Sequence, residues 1–301
     1  MKKNMSNIQQ EETLHYFNTH AKDWQNKVKT TSDVKVNNIQ QRNGYVIDII
    51  KERKKTVSFL DVGCGTGDLA CEVAKQGINS IGVDFAKDMI RQALSKAKEE
   101  QLEKAHFECC TIFEFDFSKQ MLDVVSMNGF IEYISQYEMK QLFDMVYNAM
   151  NHNGSFVVGS RNRLFNLHSL NEYTRKELNE SNIEALLNES VALASKEKIE
   201  EMSRMKIAPL QNSTTQHPRT TIDVTTRFQY TPIQLVNMLE HVGFKVVELY
   251  PINIHGVPSV FKAKHPEVYT LIANLLQTYA RHCSELVPFS SSFMVHAQKS
   301  E

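Results

Sequence analysis

The chain has no run of about 18 consecutive apolar residues, so its sequence offers no membrane-spanning helix. Its first residues, MKKNMSNIQQEETLHYF, carry two lysines with no apolar stretch behind them, which does not read as a secretory signal. Charge of either sign in excess is also missing. The 34 Lys and Arg against 35 Asp and Glu leave a net charge of −1, which argues against nucleic acid or an anionic membrane as the main partner while allowing a local basic patch. The five cysteines show neither a C-x-x-C pair nor zinc-ligand spacing. Reduced thiols, a cytoplasmic location and no metal are therefore expected. The adjacent Cys109 and Cys110 fall in an apolar stretch and read as core. No internal repeat or low-complexity tract occurs. What the chain does have is 301 residues, 42% of them hydrophobic, which excludes a disordered protein. A core of that size buries roughly three-quarters of the unfolded surface. The length suggests two domains, although α/β chains of ~200–250 residues often fold as one.

Hydrophobic periodicity organises the chain. Residues 1–30 are polar with scattered aromatics, Tyr16, Phe17 and the only tryptophan, Trp24. Val36, Ile39, Val46, Ile47 and Ile50 recur at helical spacing within 31–54. Short apolar or β-branched segments at 56–63, 80–85, 106–110, 122–129 and 154–160 then alternate with helical patterns at 64–77, 87–101 and 136–150. That alternation predicts parallel βαβ units and a doubly wound sheet. Residues 162–222 are largely helical and polar, with Ile183, Leu186, Leu187 and Val191 as one stripe and Ser181 and Glu184 at capping-box spacing. QNSTTQHPRTT (211–221) reads as a loop and DVTTRFQY (223–230) as an extended segment. Thr231 as N-cap, Pro232 at N1 and Gly243 after the last turn frame a further helix. A strand at 244–252, a helix at 265–283 and a final strand at 290–299 complete the pattern. The expected architecture is an α/β, Rossmann-like, mostly parallel seven-stranded sheet with helical cap insertions after strands 5 and 6. Its parts are an N-terminal segment 1–30, a Rossmann-like core 31–161, an insertion 162–222, and a completion of the core at 223–301 that contains a second insertion at 253–288.

The chemistry concentrates in Asp61-Val62-Gly63-Cys64-Gly65-Thr66-Gly67 at the end of the first strand. Glycines at alternate positions make a turn with no Cβ to hold a ligand away. The following helix N-terminus presents unpaired N–H groups and a positive dipole end. The second strand ends in Asp84, 17 residues beyond Gly67. A carboxylate there can accept both hydroxyls of a ribose. The spacing G-x-G-x-G differs from the dinucleotide fingerprint G-x-G-x-x-G, and no G-x-x-x-x-G-K-[ST] loop exists. Asp61, two positions before the first glycine, would repel a pyrophosphate and suits a cationic ammonium or sulfonium. The charge pattern favours S-adenosylmethionine over NAD.

On these residues the chain resembles the class I S-adenosylmethionine-dependent methyltransferases, in the branch that acts mainly on small molecules. FLDVGCGTGDLA (59–70) and IGVDFAKDMI (81–90) are similar to that family's first two motifs. LDVVSMNGFIEYI (122–134) is similar to its fourth-strand motif, and YFNTHAKDW (16–24) to the aromatic segment that closes over the cofactor. The resemblance covers 56–160, and more weakly 223–250 and 290–299. It implies that Asp61 lies under the methionine amino group, with Gly63, Cys64, Gly65 and Gly67 beneath the ligand. Asp84 would hold the ribose, Phe85 and Met89 the adenine face, and Thr111 and Ile112 the adenine edge. Asn128 would line the methionine end, and Tyr16 and Trp24 would close the site. CCTIF stands where the family usually has an Asp after the third strand. The implied product is S-adenosylhomocysteine and the implied acceptor a small molecule, methylated on O or N. The [DNS]-P-P-[YFW] signature of nucleic-acid amino methylation is absent, since the fourth strand ends MNGFIE and the first proline is Pro209.

Candidate catalytic residues are His255, just past the sixth strand, His20, and the Glu132–Tyr133 pair. Arg161, Arg163 and Tyr173, where the first insertion leaves the sheet, are candidates for gripping an anionic or aromatic substrate. Long excursions from the carboxyl ends of strands commonly form lids. Their alternative use is a dimerisation element, which would make a homodimer. Two other functions share the pattern, an NAD(P)-dependent oxidoreductase and a non-catalytic nucleoside-binding regulator.

Overall fold

The computed structural model describes residues 5–29, 36–202, 204–212 and 224–300. Seven strands, β1 (Ser58–Val62), β2 (Asn79–Asp84), β3 (Ala105–Cys109), β4 (Leu122–Asn128), β5 (Met150–Arg161), β6 (Phe244–Ile254) and β7 (Ser290–Lys299), form one sheet in the order β3-β2-β1-β4-β5-β7-β6. The first five pair in parallel, and β7 runs antiparallel between β5 and β6. The helices are α1 (Met5–Thr19), α2 (Ala21–Lys29), α3 (Asn38–Glu52), α4 (Asp68–Lys75), α5 (Lys87–Glu99), α6 (Gln136–Ala149), α7 (Asn166–Ser169), α8 (Glu172–Asn179), α9 (Ile183–Ala194), α10 (Ile199–Met202), α11 (Pro232–Val242) and α12 (Pro266–Gln277). The chain runs outward from β1 to β3 and then crosses back to β4. The carboxyl ends of β1 and β4 therefore diverge at the topological switch point, where open α/β sheets leave a crevice.

Alternation of side chains along each strand builds a core on either face. Leu60, Val62, Val125, Phe156 and Val158 face one core, which Met139, Leu142, Phe143 and Val146 of α6 and Ile233, Leu235, Val236 and Leu239 of α11 complete. Phe59, Val124 and Val157 face the other, against Tyr45, Val46, Ile49 and Ile50 of α3 and Leu69 and Val73 of α4. Strands with consecutive buried residues, such as Phe59 to Val62 of β1, are what a sheet covered on both sides requires.

Local signals fix most helix ends. At α11 the Thr231 hydroxyl accepts from the Gln234 N–H and the Gln234 side chain accepts from the Thr231 N–H at 2.9 Å, with Pro232 in the first turn and Gly243 closing the helix at φ +110°. The pattern expected at 31–54 yields a helix only from Asn38, where Asn37 caps the N–H groups of Ile39 and Gln40; residues 31–35 lie outside the described ones.

Elsewhere tertiary demands override the sequence pattern. The capping box expected at Ser181 and Glu184 does not form. Ser181 takes φ +57°, and Asn182 precedes the helix with its amide turned to Glu177. In α9 Leu186 is buried, yet Leu187 and Val191 are 47% and 61% exposed. The helix is rotated so that Glu189 reaches the first turn of α11, accepting from the Ile233 N–H at 2.9 Å. From Val224 to Gln229 the expected strand is an irregular strap; Tyr230 makes one isolated bridge to Asn162, and the Phe228 N–H donates to the Glu132 carbonyl. Cys109, expected in the core, is exposed, and Cys110 is half-buried.

Candidate active site

At the carboxyl ends of the parallel strands lies a cavity of about 1380 Å³. Pockets for one drug-sized ligand measure roughly 300–1,000 Å³, so this one has room for two molecules side by side. Its floor is the glycine turn. Gly63 and Gly65 have φ +69° and +53°, a conformation that L side chains rarely adopt. A Cβ on Gly63 would come within 2.7 Å of the Phe130 ring. The Gly63 and Cys64 N–H groups both donate to the Val83 carbonyl (2.8 and 3.1 Å), which ties the turn to the end of β2.

Two acids flank the turn. Each Asp84 carboxylate oxygen accepts one backbone N–H, from Gly65 at 3.0 Å and from Ala86 at 2.8 Å. A carboxylate has about four acceptor sites, so two remain for a ligand's hydroxyls. Burial pushes its pKa up to about 6, against the pull of those N–H groups. Asp61, 4% exposed, is pushed up to about 8, chiefly by burial and further by the charges of Asp84 and Asp68. A positively charged ligand would offset that cost. Phe85, Met89, Thr111 and Ile112 line the cavity beyond Asp84, and Asn128 and Glu132 line it beyond Asp61. Trp24 covers the turn, its indole nitrogen 3.5 Å from where a Gly65 Cβ would stand.

The sequence profile of the family described as "Methyltransferase domain" matches residues 53–220, more than half of the chain. The chain belongs to this methyltransferase family. It is 30% identical over 130 residues to a protein named as a methyltransferase in Geobacillus sp. (strain WCH70), covering 39% of the chain and 44% of that protein. It is 30% identical over 166 residues to the ubiquinone biosynthesis O-methyltransferase of Rickettsia prowazekii (strain Madrid E), covering 53% of the chain and 62% of the relative. The matches thus span about half the length of these relatives. Magnesium protoporphyrin IX methyltransferase from Synechocystis PCC 6803, solved with bound S-adenosylhomocysteine, superposes with a TM-score of 0.55 at 12% identity, covering 97% of this chain and all of that one. That last likeness establishes the Rossmann-like methyltransferase fold.

In this methyltransferase-family chain several residues singled out from the sequence do not face the cavity. Gly67 (φ +73°) lies under α5, where a Cβ would meet Ala93 and Phe107 at 2.7 Å; its role is close packing. Tyr16 is buried in an aromatic cluster with Phe17 and Tyr133, and His20 stacks on Tyr16 at 4.3 Å with its Nδ1 on the Tyr16 carbonyl. His255 packs against Phe165 at 4.2 Å, and its Nδ1 is bonded to the Tyr269 hydroxyl. Burial, with Lys262 and His168 nearby, lowers its pKa to about 4, so it is a weak base away from the cavity. Arg163 is 1% exposed and forks onto Glu177 with two bonds of 2.8 Å, its Nη1 donating to the Pro209 carbonyl. Tyr173 is buried, 5.5 Å beneath the Arg161 guanidinium, its hydroxyl accepting from Arg227. Of the candidates for substrate binding, Arg161 alone lines the cavity, and of those for catalysis, Glu132 and Tyr133. None of the described residues between 162 and 212 does so.

The sequence reading missed Arg42. It projects from α3 over Gly129, where a Cβ would stand 2.5 Å from its Nη1, and its Nη2 donates to the Ser292 hydroxyl at 2.9 Å. No local motif marks it, because its partner lies 250 residues away. Glu132 sits among Arg42, Arg161 and Arg227, whose charges pull its pKa down while burial pushes it up more strongly. Lys262 and Asn253, also missed, come from the turn after β6 and from its end. Among the described residues no helix is long and apolar enough to cross a membrane, and no group of three or more His, Cys, Asp or Glu could hold a metal.

Proposed function

We propose that the protein transfers a methyl group from S-adenosylmethionine to an oxygen or nitrogen of a small-molecule acceptor. The carrying observation is the pair of buried acids, Asp61 and Asp84, flanking a glycine turn at the mouth of a two-ligand cavity. A sulfonium and an ammonium give Asp61 the opposite charge that burial denies it. Asp84 keeps two acceptor positions for the ribose, and Phe85, Met89 and Ile112 offer an apolar wall for the base. Arg42, above the end of β4, would meet the methionine carboxylate. NAD(P) fits this charge less well, since its pyrophosphate would lie against Asp61. Family membership supports transfer, and a relative named for ubiquinone biosynthesis supports a small acceptor.

S-adenosylmethionine supplies an activated methyl group. The chain's own work is to hold the acceptor in line with it, which can contribute ~7–11 kcal/mol, and to take the acceptor's proton. Glu132, with its Oε2 buried and without a hydrogen-bond partner, is the assigned base. Helices α1 and α2 form the lid, contributing Gln10, Thr13, Phe17, Asp23 and Trp24 to the cavity. Gln9 and Glu12 bond them to Thr226 and Thr225 of the strap. The described residues 162–202 and 204–212 act as a buttress for that strap, through bonds such as Gln211 to Gln229. The test is calorimetric titration with S-adenosylhomocysteine, followed by incubation with methyl-labelled S-adenosylmethionine and a metabolite extract. One molecule bound per chain and label in a small product are expected. Failure to bind either adenosyl compound would overturn the reading.

A further inference from the structure

Near its end the sixth strand carries a strained residue that lines the cavity. Asn253, 6% exposed, takes φ +54° between Ile252 and Ile254, which pair with Ser292 and Ser290 of β7. L side chains rarely adopt that conformation, and it persists only where the surroundings enforce it. Three segments do so here. The Asn253 N–H donates to the side chain of Gln41 in α3 at 2.9 Å and to that of Gln277 in α12 at 3.2 Å. Gln277 is itself anchored, its Nε2 donating to the Pro251 carbonyl at 2.9 Å. From β7 the Ser291 hydroxyl accepts from the Asn253 Nδ2 at 3.0 Å.

Glycine would meet the backbone demand at position 253 without strain, so the conformation alone does not call for an amide. The group left over is Oδ1, which is buried and has no hydrogen-bond partner among the described residues. A buried acceptor in that state is destabilising, and a ligand's O–H or N–H would satisfy it. With Nδ2 committed to Ser291, the side chain offers the cavity an acceptor rather than a donor.

The Arg42 guanidinium lies between Asn253 and Glu132. Its Nη2 donates to the hydroxyl of Ser292, next to Ser291, at 2.9 Å. Its Nη1 and Oε1 of Glu132 stand over Gly129, 2.5 and 3.9 Å from the place of a Cβ there. Asn253 and Glu132 therefore serve different groups of a bound molecule. Resting on the methyl-transfer reading, in which Glu132 takes the proton of the reacting group, Asn253 is left for a second one.

We propose that Asn253 selects the methyl acceptor, its Oδ1 accepting an O–H or N–H that is not the methylated group. The substrate is then a small molecule with at least two hydrogen-bond donors, such as a diol or an amino alcohol. The oxygen or nitrogen of the first donor uses its lone pair to bond the methyl carbon as the carbon–sulfur bond breaks. The sulfur keeps that electron pair, and the proton passes to Glu132. The second donor is unchanged and survives in the product.

The experiment incubates the full chain with methyl-labelled S-adenosylmethionine and a small-molecule extract, isolates the labelled product, and counts its exchangeable hydrogens by mass spectrometry in D2O. At least one is expected; none would overturn the proposal. In a second arm, Asn253→Gly permits the same backbone conformation and removes the amide. It should raise the extract concentration that gives half the maximal labelling rate at least ~5-fold, because the second donor is then left unpaired. The Kd for S-adenosylhomocysteine should stay that of the parent, which reports an intact fold. An unaltered half-saturating concentration would overturn the proposal, and so would loss of S-adenosylhomocysteine affinity in the variant, which would make Asn253 a brace of the fold. Failure of the parent chain to bind S-adenosylhomocysteine would instead sink the methyl-transfer reading itself, and nucleoside binding with no labelled small molecule would refute both.

Discussion

The Asp84 carboxylate accepts the backbone N–H of Gly65 at 3.0 Å, joining the end of β2 to the middle of the glycine turn that follows β1. One side chain thus shapes the turn and offers its remaining lone pairs to the cavity. A carboxylate that only braced a loop could do the first without lining a pocket; here both are met by the same two oxygens.

Replacing Asp84 removes both roles. Asp84→Ala should weaken S-adenosylhomocysteine binding at least ~10-fold, the worth of one good hydrogen bond to a charged group. Calorimetry at fixed salt measures it, and an affinity equal to that of the parent would take Asp84 out of the site.

The two acids make stability depend on pH in a defined direction. Asp61 has its folded pKa raised to about 8 from the ordinary 3.8. Its contribution to stability is complete below the unfolded value and is lost as pH rises through about 8. Asparagine has the same shape and no charge to bury. Asp61→Asn should therefore raise the melting temperature at pH 9 and do so progressively less toward pH 4. An equal effect at both ends of that range would show that Asp61 is not forced to ionise in the ligand-free protein.

Glu132 and His255 separate by position. Glu132→Gln should cut kcat by about 10²–10⁴-fold, the usual range for a general base, with nucleoside affinity retained. His255→Gln, remote from the cavity, should change kcat less than about threefold, a far smaller effect than a lost base produces. Steady-state kinetics on any labelled acceptor decides the matter, and the reverse ranking would return the role of base to the histidine.

Arg163 and Glu177 form a fully buried pair that ties the turn after β5 to α8. Arg163→Ala leaves a buried carboxylate uncompensated and should cost about 3–5 kcal/mol in urea unfolding. The folded fraction should keep the acceptor KM of the parent. A raised KM with unchanged stability would make Arg163 a substrate contact after all.

Gly67→Ala tests the packing reading of the third glycine. A positive φ costs a non-glycine residue about 1–2 kcal/mol, and the 2.7 Å approach to Phe107 and Ala93 should add about 1–3 kcal/mol of overpacking. The loss should appear as a lower denaturant midpoint. Stability like that of the parent would place the α4–α5 junction further open than described.

The sheet, its switch point and the acids at the turn were legible in the sequence because each follows from near neighbours. Alternating strand and helix periods define βαβ units, glycines at 63 and 65 permit the positive φ, and an acid at a strand's last residue must lie at the sheet's carboxyl edge. The same logic located the Thr231 cap and the Gly243 stop. It failed where a residue's partner is remote. His255 and Arg163 look like catalytic and binding residues by type and position, yet Tyr269 and Glu177 consume them. Leu187 and Val191 keep helical spacing and still face outward, because Glu189 must reach the start of α11.

By itself the sequence determined the class of fold, the family and the end of the sheet where chemistry takes place, since these depend on periodicity and on residues within a few positions of one another. Only the tertiary structure decided which charges share the cavity. Arg42, Arg161, Asn253 and Lys262 come from α3, β5, β6 and the turn after β6. No local pattern relates them, because long-range packing of the helices on the sheet is what sets each one's distance to Glu132.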